Sequence, residues 1–257
     1  MKFCRFRLAG NEAWGVIDDD DFVTALPGAP WETPEPRRGA LREALVEVEL
    51  LVPSLPSKIL CVGQNYRKHA AEMGKPVPEE PLLFLKPPSA LNAHQNPIEL
   101  PPASAEVHHE SELALVIGRT LSNATEAQAA AAIFGITCFN DVTARDIQRR
   151  EVQHTRGKGY DTFACVGPWM VTGLPFADLQ IQCRVNGELR QDGRTSDMIF
   201  PPARLVSFMS QVMTLEPGDL IVTGTPSGVG PLKAGDTVEV EIEGVGILEN
   251  PVEGPRV

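Results

Sequence analysis

The sequence predicts a mixed α/β fold that is mostly β, with helices packed outside the strands. From residue 163 onward, strand-length stretches such as "IQCRVNGELRQDG" and "DTVEVEIEGVGILENPV" alternate with Gly, Pro, Asn and Asp turns. The run "ELALVIGR" is continuously apolar, which is typical of a strand covered on both faces. The chain has 257 residues, of which 42% are hydrophobic, so it can bury a substantial core. These patterns do not separate a barrel from a roll or a sandwich.

A small leading domain is predicted to precede a larger one. Its strands are "KFCRFRLA", "AWGVID" and "DFVTAL", and they are followed by the proline-containing connections "PGAPWETPEPRR" and "LLVPSLPSK". Between these connections, "GALREALVEVE" is predicted as a short helix. The boundary is expected near residue 55, which gives a small β-rich N-terminal domain over residues 1–55 and a main domain over residues 56–257.

Helices of the main domain are predicted where polar or Ala-rich stretches end in glycine. The stretch "RKHAAEMGK" follows the apolar strand "KILCVGQNY" and is closed by Gly74. The stretch "NATEAQAAAAIFG" is predicted as a helix with Asn123 as its N-cap and Gly135 at its end. The stretch "ITCFNDVTARDIQRR" is predicted to run from a strand into a polar helix.

Composition and charge argue against several classes of protein. The formal net charge of -11 does not suit a surface for nucleic acid or an anionic membrane, because both need clustered Lys and Arg. The N-terminus lacks the apolar segment of a signal peptide, and no stretch approaches the length of a membrane span. The five cysteines lie far apart with no C-x-x-C pair, so neither a zinc ribbon nor a disulfide framework is expected. We therefore expect a cytoplasmic protein with buried thiols.

The stretch "VHHESELALVIG" places two glutamates before an apolar run. Side chains two residues apart on a strand share a face, so Glu110 and Glu112 present their carboxylates together. Mg²⁺ and Mn²⁺ prefer such oxygen ligands, although a solvated strand face explains the same pattern. At most one of His108 and His109 can join that face; spacing favours His108, and an imidazole would shift the preference to Zn or Fe. Asp141, after the strand-like "ITCF", is either a third carboxylate or a helix cap.

Four further side chains are candidates for chemistry. His69 and Glu72 are three residues apart on a predicted helix, and a carboxylate on one ring nitrogen raises the basicity of the other, as in the activation of water. A surface pair with no catalytic role has the same spacing. Lys158 lies between glycines in "KGYDTF" and can meet an anionic substrate group. Thr225 lies in "TGTPSGVG", which either brings backbone N–H groups to a ligand or is a turn of a β protein.

The order of these motifs resembles the fumarylacetoacetate hydrolase family. The resemblance covers about residues 57 to 250, from "KILCVGQNYRKHAAEM" through "HHESELALVIGR" and "GITCFNDVTARDIQ" to "LIVTGTPSGVG". It implies a β-roll catalytic domain, a small-molecule 2-oxo acid substrate, a divalent-metal site and commonly a homodimer. The implied ligands of Mg²⁺ or Mn²⁺ are Glu110, Glu112 and Asp141. The implied water-activating pair is His69 and Glu72, and the residues implied to contact the carboxylate or oxo groups of the substrate are Lys158, Gln148 and Thr225.

Two stretches depart from the family's pattern. Relatives often have glycine between the two glutamates, where this chain has Ser111, whose side chain is expected to face away from the metal. Relatives also frequently have a Gly-Pro-Gly-Asp-Pro-like loop near the site, where this chain has "NAHQNP" at residues 92–97. Substrate choice is therefore expected to differ if that loop borders the site.

The resemblance implies a reaction in which a divalent ion stabilises an enolate beside a breaking carbon–carbon bond. The leading hypothesis is metal-dependent hydrolysis of an acylpyruvate-type 2,4-dioxo acid, in catabolism of aromatic or related compounds, with His69 as the base. The alternatives on the same site are isomerisation of an unsaturated hydroxy diacid and decarboxylation of oxaloacetate. A hypothesis of another class is a metal-dependent oxo-acid binder without turnover, which would have no need for a water-activating base.

Overall fold

The structure is a computed structural model, and it describes residues 1–255. Strands outnumber helices, as the sequence predicts. In chain order the strands are β1 (Lys2–Leu8), β2 (Asn11–Ile17), β3 (Phe22–Leu26), β4 (Arg42–Ala44), β5 (Glu49–Leu51), β6 (Ile59–Gly63), β7 (Leu82–Lys86), β8 (Leu91–Asn92), β9 (Ile98–Glu99), β10 (Val107–His109), β11 (Ser111–Ile117), β12 (Ile133–Asp141), β13 (Thr143–Ala144), β14 (Ala164–Val171), β15 (Gln180–Val185), β16 (Glu188–Arg194), β17 (Leu220–Val222), β18 (Gly230–Leu232), β19 (Thr237–Ile242) and β20 (Gly246–Glu253). The α-helices are α1 (Arg67–Glu72), α2 (Glu126–Ala130), α3 (Arg145–Arg150), α4 (Thr155–Lys158) and α5 (Pro202–Val212), and 3₁₀ turns cover Leu45–Glu47, Pro88–Ala90 and Thr195–Asp197. Within the described residues, no helix has both the length and the apolar character that a membrane crossing requires.

One twelve-stranded sheet joins the leading segment to the rest of the chain. Its order is β4-β3-β2-β1-β14-β12-β11-β17-β6-β7, with β5 beside β1 and β8 beside β14. The junction is the antiparallel pair of β1 and β14, in which Lys2 lies opposite Val171. A five-stranded sheet has the order β16-β15-β19-β20-β9, and a three-stranded sheet has the order β13-β10-β18. The predicted domain boundary near residue 55 falls between β5 and β6, and it stays a prediction.

Strand β11 is buried along its whole length, as its continuous apolar character predicts. Its side chains alternate between two clusters: Leu113 and Leu115 lie in the main core, whereas Ala114 and Val116 lie in a second cluster on the opposite face. Full burial of a leucine side chain stabilises a fold by about 1.5–3 kcal/mol. This strand is therefore a firm support for Glu112, which lies near its start.

The ends of four strands meet where the candidate site lies. Because β11 and β12 are antiparallel, with Ser111 opposite Asn140, the start of β11 adjoins the end of β12. Strand β17 is antiparallel to β11 and parallel to β6, so β17 and β6 both end toward the start of β11. The chain leaves β6 toward helix α1 and leaves β17 into the stretch 223–230. The sheet order therefore brings together motifs that are far apart in sequence.

The helix predicted for "GALREALVEVE" is wrong. The stretch forms β4, one 3₁₀ turn and the first residue of β5 instead. Strand β4 pairs with β3, with Arg42 opposite Thr24, and β5 pairs with β1, with Leu51 opposite Arg5. Pairing with two distant strands outweighs the local helix propensity, which is only a few tenths of a kcal/mol per residue.

The predicted ends of the Ala-rich helix are also wrong. The N-cap of α2 is Thr125, whose hydroxyl accepts from the Gln128 N–H while the Gln128 side chain accepts from the Thr125 N–H, a reciprocal capping box. Asn123 lies outside the helix with a φ of 49°. Gly135 lies inside β12, where an added Cβ would come within 2.9 Å of the Val171 carbonyl oxygen. Glycine is required there by close approach between strands rather than by a helix end.

Candidate active site

Three carboxylates converge at the junction of β11 and β12. Glu110 and Glu112 are two residues apart in extended chain, and Asp141 ends β12. The Asp141 N–H donates to the Glu110 carbonyl oxygen at 2.9 Å, which ties the two strands together at this point. One carboxylate oxygen of each residue lies within 4.8 Å of the others, and all three side chains are buried. The structure thus brings the three predicted ligands to one place, and their metal ligation stays a prediction.

The charges in this group are unevenly compensated. Burial raises the pKa of Glu112 well above its ordinary value, and the nearby Asp141 and Glu110 raise it further. Burial also acts to raise the pKa of Glu110, but the cations Lys158 and Arg145 outweigh it, so that pKa is lowered. Within residues 1–255, Glu112 forms no ion pair; its Oε2 accepts from the Gly224 N–H at 2.5 Å. A buried carboxylate without a cation is costly. The cluster of three carboxylates therefore favours the binding of an additional cation.

The donor set suits a hard divalent cation. It consists of carboxylate oxygens alone, which Mg²⁺ and Mn²⁺ prefer, with no nitrogen or sulfur ligand among them. His108 Nε2 lies 2.9 Å from Glu106 Oε1, and His109 Nδ1 lies 3.0 Å from Gln191 Oε1, so both imidazoles bind elsewhere. Burial lowers the pKa of His109 to about 4, which leaves its ring neutral near pH 7. The buried oxygen cluster therefore fits the expected ion, and the adjacent histidines do not point to Zn or Fe.

Lys158 lies among the carboxylates rather than apart from them. Its Nζ donates to Glu110 Oε2 at 2.8 Å and to Asp141 Oδ2 at 2.5 Å. A third bond joins it to the Thr143 hydroxyl at 2.9 Å. Burial alone would lower the pKa of Lys158, but Asp141 and Glu110 outweigh burial and raise it, so the side chain is an ammonium. Lys158 therefore contributes a buried positive charge to the floor of the site.

Two further buried cations lie at the site although no sequence pattern predicted them. Arg145 donates to Glu110 Oε1, and Lys86 donates to Asp141 Oδ1 at 2.6 Å. Both side chains are almost fully buried. The available signals were an arginine directly after the strand-like "NDVTA" and a lysine ending the apolar "LLFL", but either pattern is equally common at the surface. Only the tertiary contacts assign them to the site.

The structure brings together the predicted imidazole–carboxylate pair. Helix α1 carries His69 and Glu72 on one face, and the chain turns after it at Gly74, which has a φ of 63°. His69 Nδ1 lies 3.0 Å from Glu72 Oε2, and the other Glu72 oxygen accepts from the Gly228 N–H at 2.9 Å. Glu72 is therefore held from both sides, by the ring and by the glycine-rich stretch. The role of the pair in activating water stays a prediction.

The hydrogen bonds of Thr225 limit what its hydroxyl can do. Gln191 is fully buried; its Oε1 accepts from the Ser111 N–H at 2.9 Å and its Nε2 donates to the Pro226 carbonyl at 2.9 Å, which sets the orientation of the amide. The same Nε2 donates to Thr225 Oγ1 at 2.7 Å, and Thr225 Oγ1 donates to the Ser111 carbonyl oxygen at 2.9 Å. The hydroxyl proton is thus already engaged, and Oγ1 can only accept from a ligand. Gln191 was not found from the sequence, because nothing local marks a glutamine on β16.

These groups line one cavity of about 590 Å³. The three carboxylates, His69, Lys158 and Arg145 form part of its wall, and so do Gln148 and Thr225. Gln148 Oε1 accepts from Arg145 at 2.5 Å, so its position depends on the same arginine that binds Glu110. A volume in this range accommodates a small organic acid.

The loop at residues 92–97 does not line this cavity. Asn250 Nδ2 donates to the carbonyl oxygens of Ala93 and Asn96, each at 2.8 Å, and the Gln95 N–H donates to the Glu249 carbonyl at 2.7 Å. The loop is therefore held against β20.

The five cysteines are all buried and free, as predicted.

A cavity that joins buried acids and cations to an imidazole–carboxylate pair is typical of an enzyme. The family model described as fumarylacetoacetate (FAA) hydrolase C-terminal matches residues 58–253, and the model described as Rv2993c-like, N-terminal matches residues 1–53. The chain belongs to the fumarylacetoacetate hydrolase family. Its relatives and structural neighbours with a named activity are hydrolases, isomerases and a tautomerase, and this protein is an enzyme as well.

Three similar proteins illustrate the family. The 2,4-didehydro-3-deoxy-L-rhamnonate hydrolase of Sphingomonas sp. is 41% identical, over 98% of this chain and 96% of that protein. The structure of 5-carboxymethyl-2-hydroxymuconate delta-isomerase from Mycobacterium smegmatis has a TM-score of 0.91 and 44% identity, covering 99% of this chain and 100% of that one. The structure of maleylpyruvate hydrolase from Sphingobium sp. SYK-6, in complex with manganese(II) and pyruvate, has a TM-score of 0.82 and 31% identity over 100% of both chains.

Proposed function

We propose that this enzyme is a divalent-metal-dependent hydrolase that cleaves a carbon–carbon bond in an acylpyruvate-type 2,4-dioxo acid. The observation that carries the proposal is the shared cavity, in which His69, positioned by Glu72, faces the same space as the buried carboxylates. A catalytic base beside a chelating site is what hydrolysis needs, because water must be deprotonated next to a polarised substrate.

The residues that would hold Mg²⁺ or Mn²⁺ are Glu110, Glu112 and Asp141. When bound, such an ion polarises the oxygens of a chelated 2-oxo acid and stabilises the enolate that forms as the bond breaks. The manganese and pyruvate bound to the Sphingobium hydrolase support this choice of ion and of product. Lys158 and Arg145 add two fixed cations, so the anionic substrate enters a site with fixed positive charge as well as negative charge.

The pair on α1 supplies the base. With Glu72 on Nδ1, the ring proton is held on that nitrogen, and Nε2 is left with its lone pair to accept a proton from water. The attacking water then adds to the distal carbonyl, and the bond between that carbon and the pyruvyl methylene breaks. The electron pair of that bond leaves with the methylene carbon as the enolate, which takes up the proton that His69 removed from water, so pyruvate and a carboxylic acid are released. Gln148, whose oxygen accepts from Arg145, presents its amide N–H groups to the oxo or carboxylate oxygens of the substrate.

Isomerisation of an unsaturated hydroxy diacid is the second candidate function. The similarity to the Mycobacterium smegmatis isomerase, at 44% identity and a TM-score of 0.91, favours it. An isomerase moves a proton between carbons on the same kind of enolate, and His69 would then transfer that proton instead of activating water. Oxaloacetate decarboxylation uses the same enolate. Binding without turnover is disfavoured because a binder has no use for a buried base beside the carboxylates.

A substrate panel separates these functions. Purified enzyme is incubated with Mg²⁺ or Mn²⁺ and with acylpyruvates, oxaloacetate and unsaturated hydroxy diacids, and the products are identified by mass spectrometry. We expect pyruvate and a carboxylic acid from an acylpyruvate. Turnover of the hydroxy diacid alone, without hydrolysis, would establish the isomerase, and oxalate binding with no turnover of any acylpyruvate would contradict the proposed hydrolase.

We further propose a cytoplasmic homodimer that acts in catabolism of aromatic or related compounds. Five buried, unpaired cysteines support a reducing compartment. Strand β7 is at an edge of the twelve-stranded sheet and exposes Leu82 and Leu85, which gives a second copy an apolar edge to cover. Light scattering of the purified chain tests the assembly, and a monomeric mass would contradict it.

A further inference from the structure

Lys86 is a buried lysine that contacts a proposed metal ligand from outside the cavity. It ends β7, and its side chain is almost fully buried. Its Nζ donates to Asp141 Oδ1 at 2.6 Å and to the Val142 carbonyl oxygen at 3.2 Å. Strands β7 and β12 are not neighbours in the sheet, so this contact joins two separate parts of the fold. Unlike Lys158 and Arg145, Lys86 does not line the cavity.

The two oxygens of Asp141 have different partners. Oδ1 is bound by Lys86, whereas Oδ2 is bound by Lys158, which lines the cavity. Lys86 also donates to the backbone carbonyl of Val142, the residue after Asp141. Its ammonium is therefore held by the backbone as well as by the Asp141 side chain. The carboxylate is therefore fixed in one rotation, with one oxygen facing away from the cavity and one toward it.

The charges around the site indicate what this contact does. Two of the buried carboxylates, Glu110 and Asp141, are paired with three buried cations, namely Lys86, Lys158 and Arg145. A buried carboxylate whose cation is removed destabilises the fold more strongly than the loss of both charges together. Lys158 and Arg145 are placed to meet substrate, whereas Lys86 is enclosed by protein. Its charge is thus the one that stays on Asp141 whatever the cavity holds.

We propose that Lys86 is a positioning residue that holds Asp141 as a one-oxygen ligand and permanently offsets its buried charge. The functional consequence of this proposal rests on the proposed metal site, because Lys86 would direct Asp141 Oδ2 toward the bound ion. The charge offset itself belongs to the protein and exists without any ion or substrate.

The test compares Lys86→Met with Lys58→Met, a matched control. Lys58 Nζ lies 2.5 Å from Asp219 Oδ2, and Asp219 is fully buried, but neither residue lines the cavity. Melting temperatures are measured in EDTA and with Mn²⁺, together with kcat and KM on whichever substrate the panel identifies. We expect Lys86→Met to melt lower in EDTA, to gain more from Mn²⁺ than the wild type does, and to lose kcat about tenfold or more with KM within about twofold. Lys58→Met should melt lower in both conditions, with the wild-type response to Mn²⁺ and wild-type kcat.

A double variant keeps the test independent of the proposed function and of poor folding. Lys86→Met with Asp141→Asn removes both charges, so in EDTA it should melt well above Lys86→Met alone. If the double variant melts no higher than the single one in EDTA, Lys86 is not a charge partner of Asp141 and the proposal is overturned. If the wild type responds to Mn²⁺ but Lys86→Met gains no more from Mn²⁺ than Lys58→Met does, the proposal is overturned as well. A raised KM with unchanged kcat would also overturn it, because Lys86 would then act on substrate. If Mn²⁺ does not change the melting temperature of the wild type, the proposed metal site is contradicted. The comparison of the single and double variants in EDTA still tests the charge offset.

Discussion

Glu72→Gln is the sharpest test of the imidazole–carboxylate pair. In the wild type, Glu72 Oε1 accepts from the Gly228 N–H and Oε2 lies on His69 Nδ1. Glutamine keeps the size and shape of the side chain but has only one acceptor oxygen. Because Gly228 offers an N–H donor, that oxygen must face Gly228, and the amide NH₂ group is left facing the ring. His69 Nδ1 must then accept a hydrogen bond, which moves the ring proton to Nε2.

The expected loss follows from this change of tautomer. With its proton on Nε2, His69 cannot take a proton from water, and a positioned general base is worth roughly 10²- to 10⁴-fold in rate. That range corresponds to about 2.7 to 5.4 kcal/mol at about 1.36 kcal/mol per factor of ten. The cost in folding stability should stay within about 0.5 kcal/mol, because Glu72 is partly exposed and both hydrogen-bond positions remain filled.

The assay measures kcat and KM with saturating Mn²⁺ for the wild type, Glu72→Gln and Glu80→Gln. Glu80 is an exposed glutamate between α1 and β7, and its substitution should leave kcat unchanged. The double variant of Glu72→Gln with His69→Asn should lose no more than either single variant, because residues that act as a unit are not additive. A Glu72→Gln enzyme that retains a third or more of the wild-type kcat would refute the assignment of His69 as the base.

Three further changes test other parts of the structure. Glu110→Ala should abolish Mn²⁺ binding in isothermal titration calorimetry, and an unchanged affinity would show that the buried carboxylates are not the metal site. Lys158→Met should raise KM for the anionic substrate about tenfold or more, because it removes a buried cation from the cavity wall; an unchanged KM would place the substrate elsewhere. Thr125→Ala should lower the free energy of unfolding by about 1 kcal/mol in urea denaturation, since it removes the hydroxyl that caps α2, and no change would mean that this capping box contributes nothing.

Only part of the site could be predicted from the sequence, and the reason differs from residue to residue. Glu110 and Glu112 share a face through the two-residue period of a strand, and His69 and Glu72 share one through the turn of a helix. Lys86 and Gln191 carry no such local pattern. Lys86 meets Asp141 across 55 residues of chain, and Gln191 meets Ser111 across 80. Their partners follow from sheet order, which local rules do not specify.

The wrong predictions have the same origin. Local propensity predicts a helix for "GALREALVEVE", but its first part pairs with β3 as β4 and its last residue begins β5, which pairs with β1. The local pattern predicts a helix end at Gly135, whereas glycine is required there by the closeness of the β12 backbone to Val171. In both places a long-range contact decides what the local pattern leaves open.

The sequence by itself determined the predominance of strands, the burial of β11 on both faces and the pairing of functional side chains within single elements. These properties depend on periodicity over a few residues, so the order of amino acids is sufficient to predict them. The tertiary structure alone decided which cation faces which carboxylate. It also decided that the Thr225 hydroxyl donates its proton to the Ser111 carbonyl oxygen. Those facts depend on atoms from distant strands coming within about 3 Å of one another, the range over which a hydrogen bond forms.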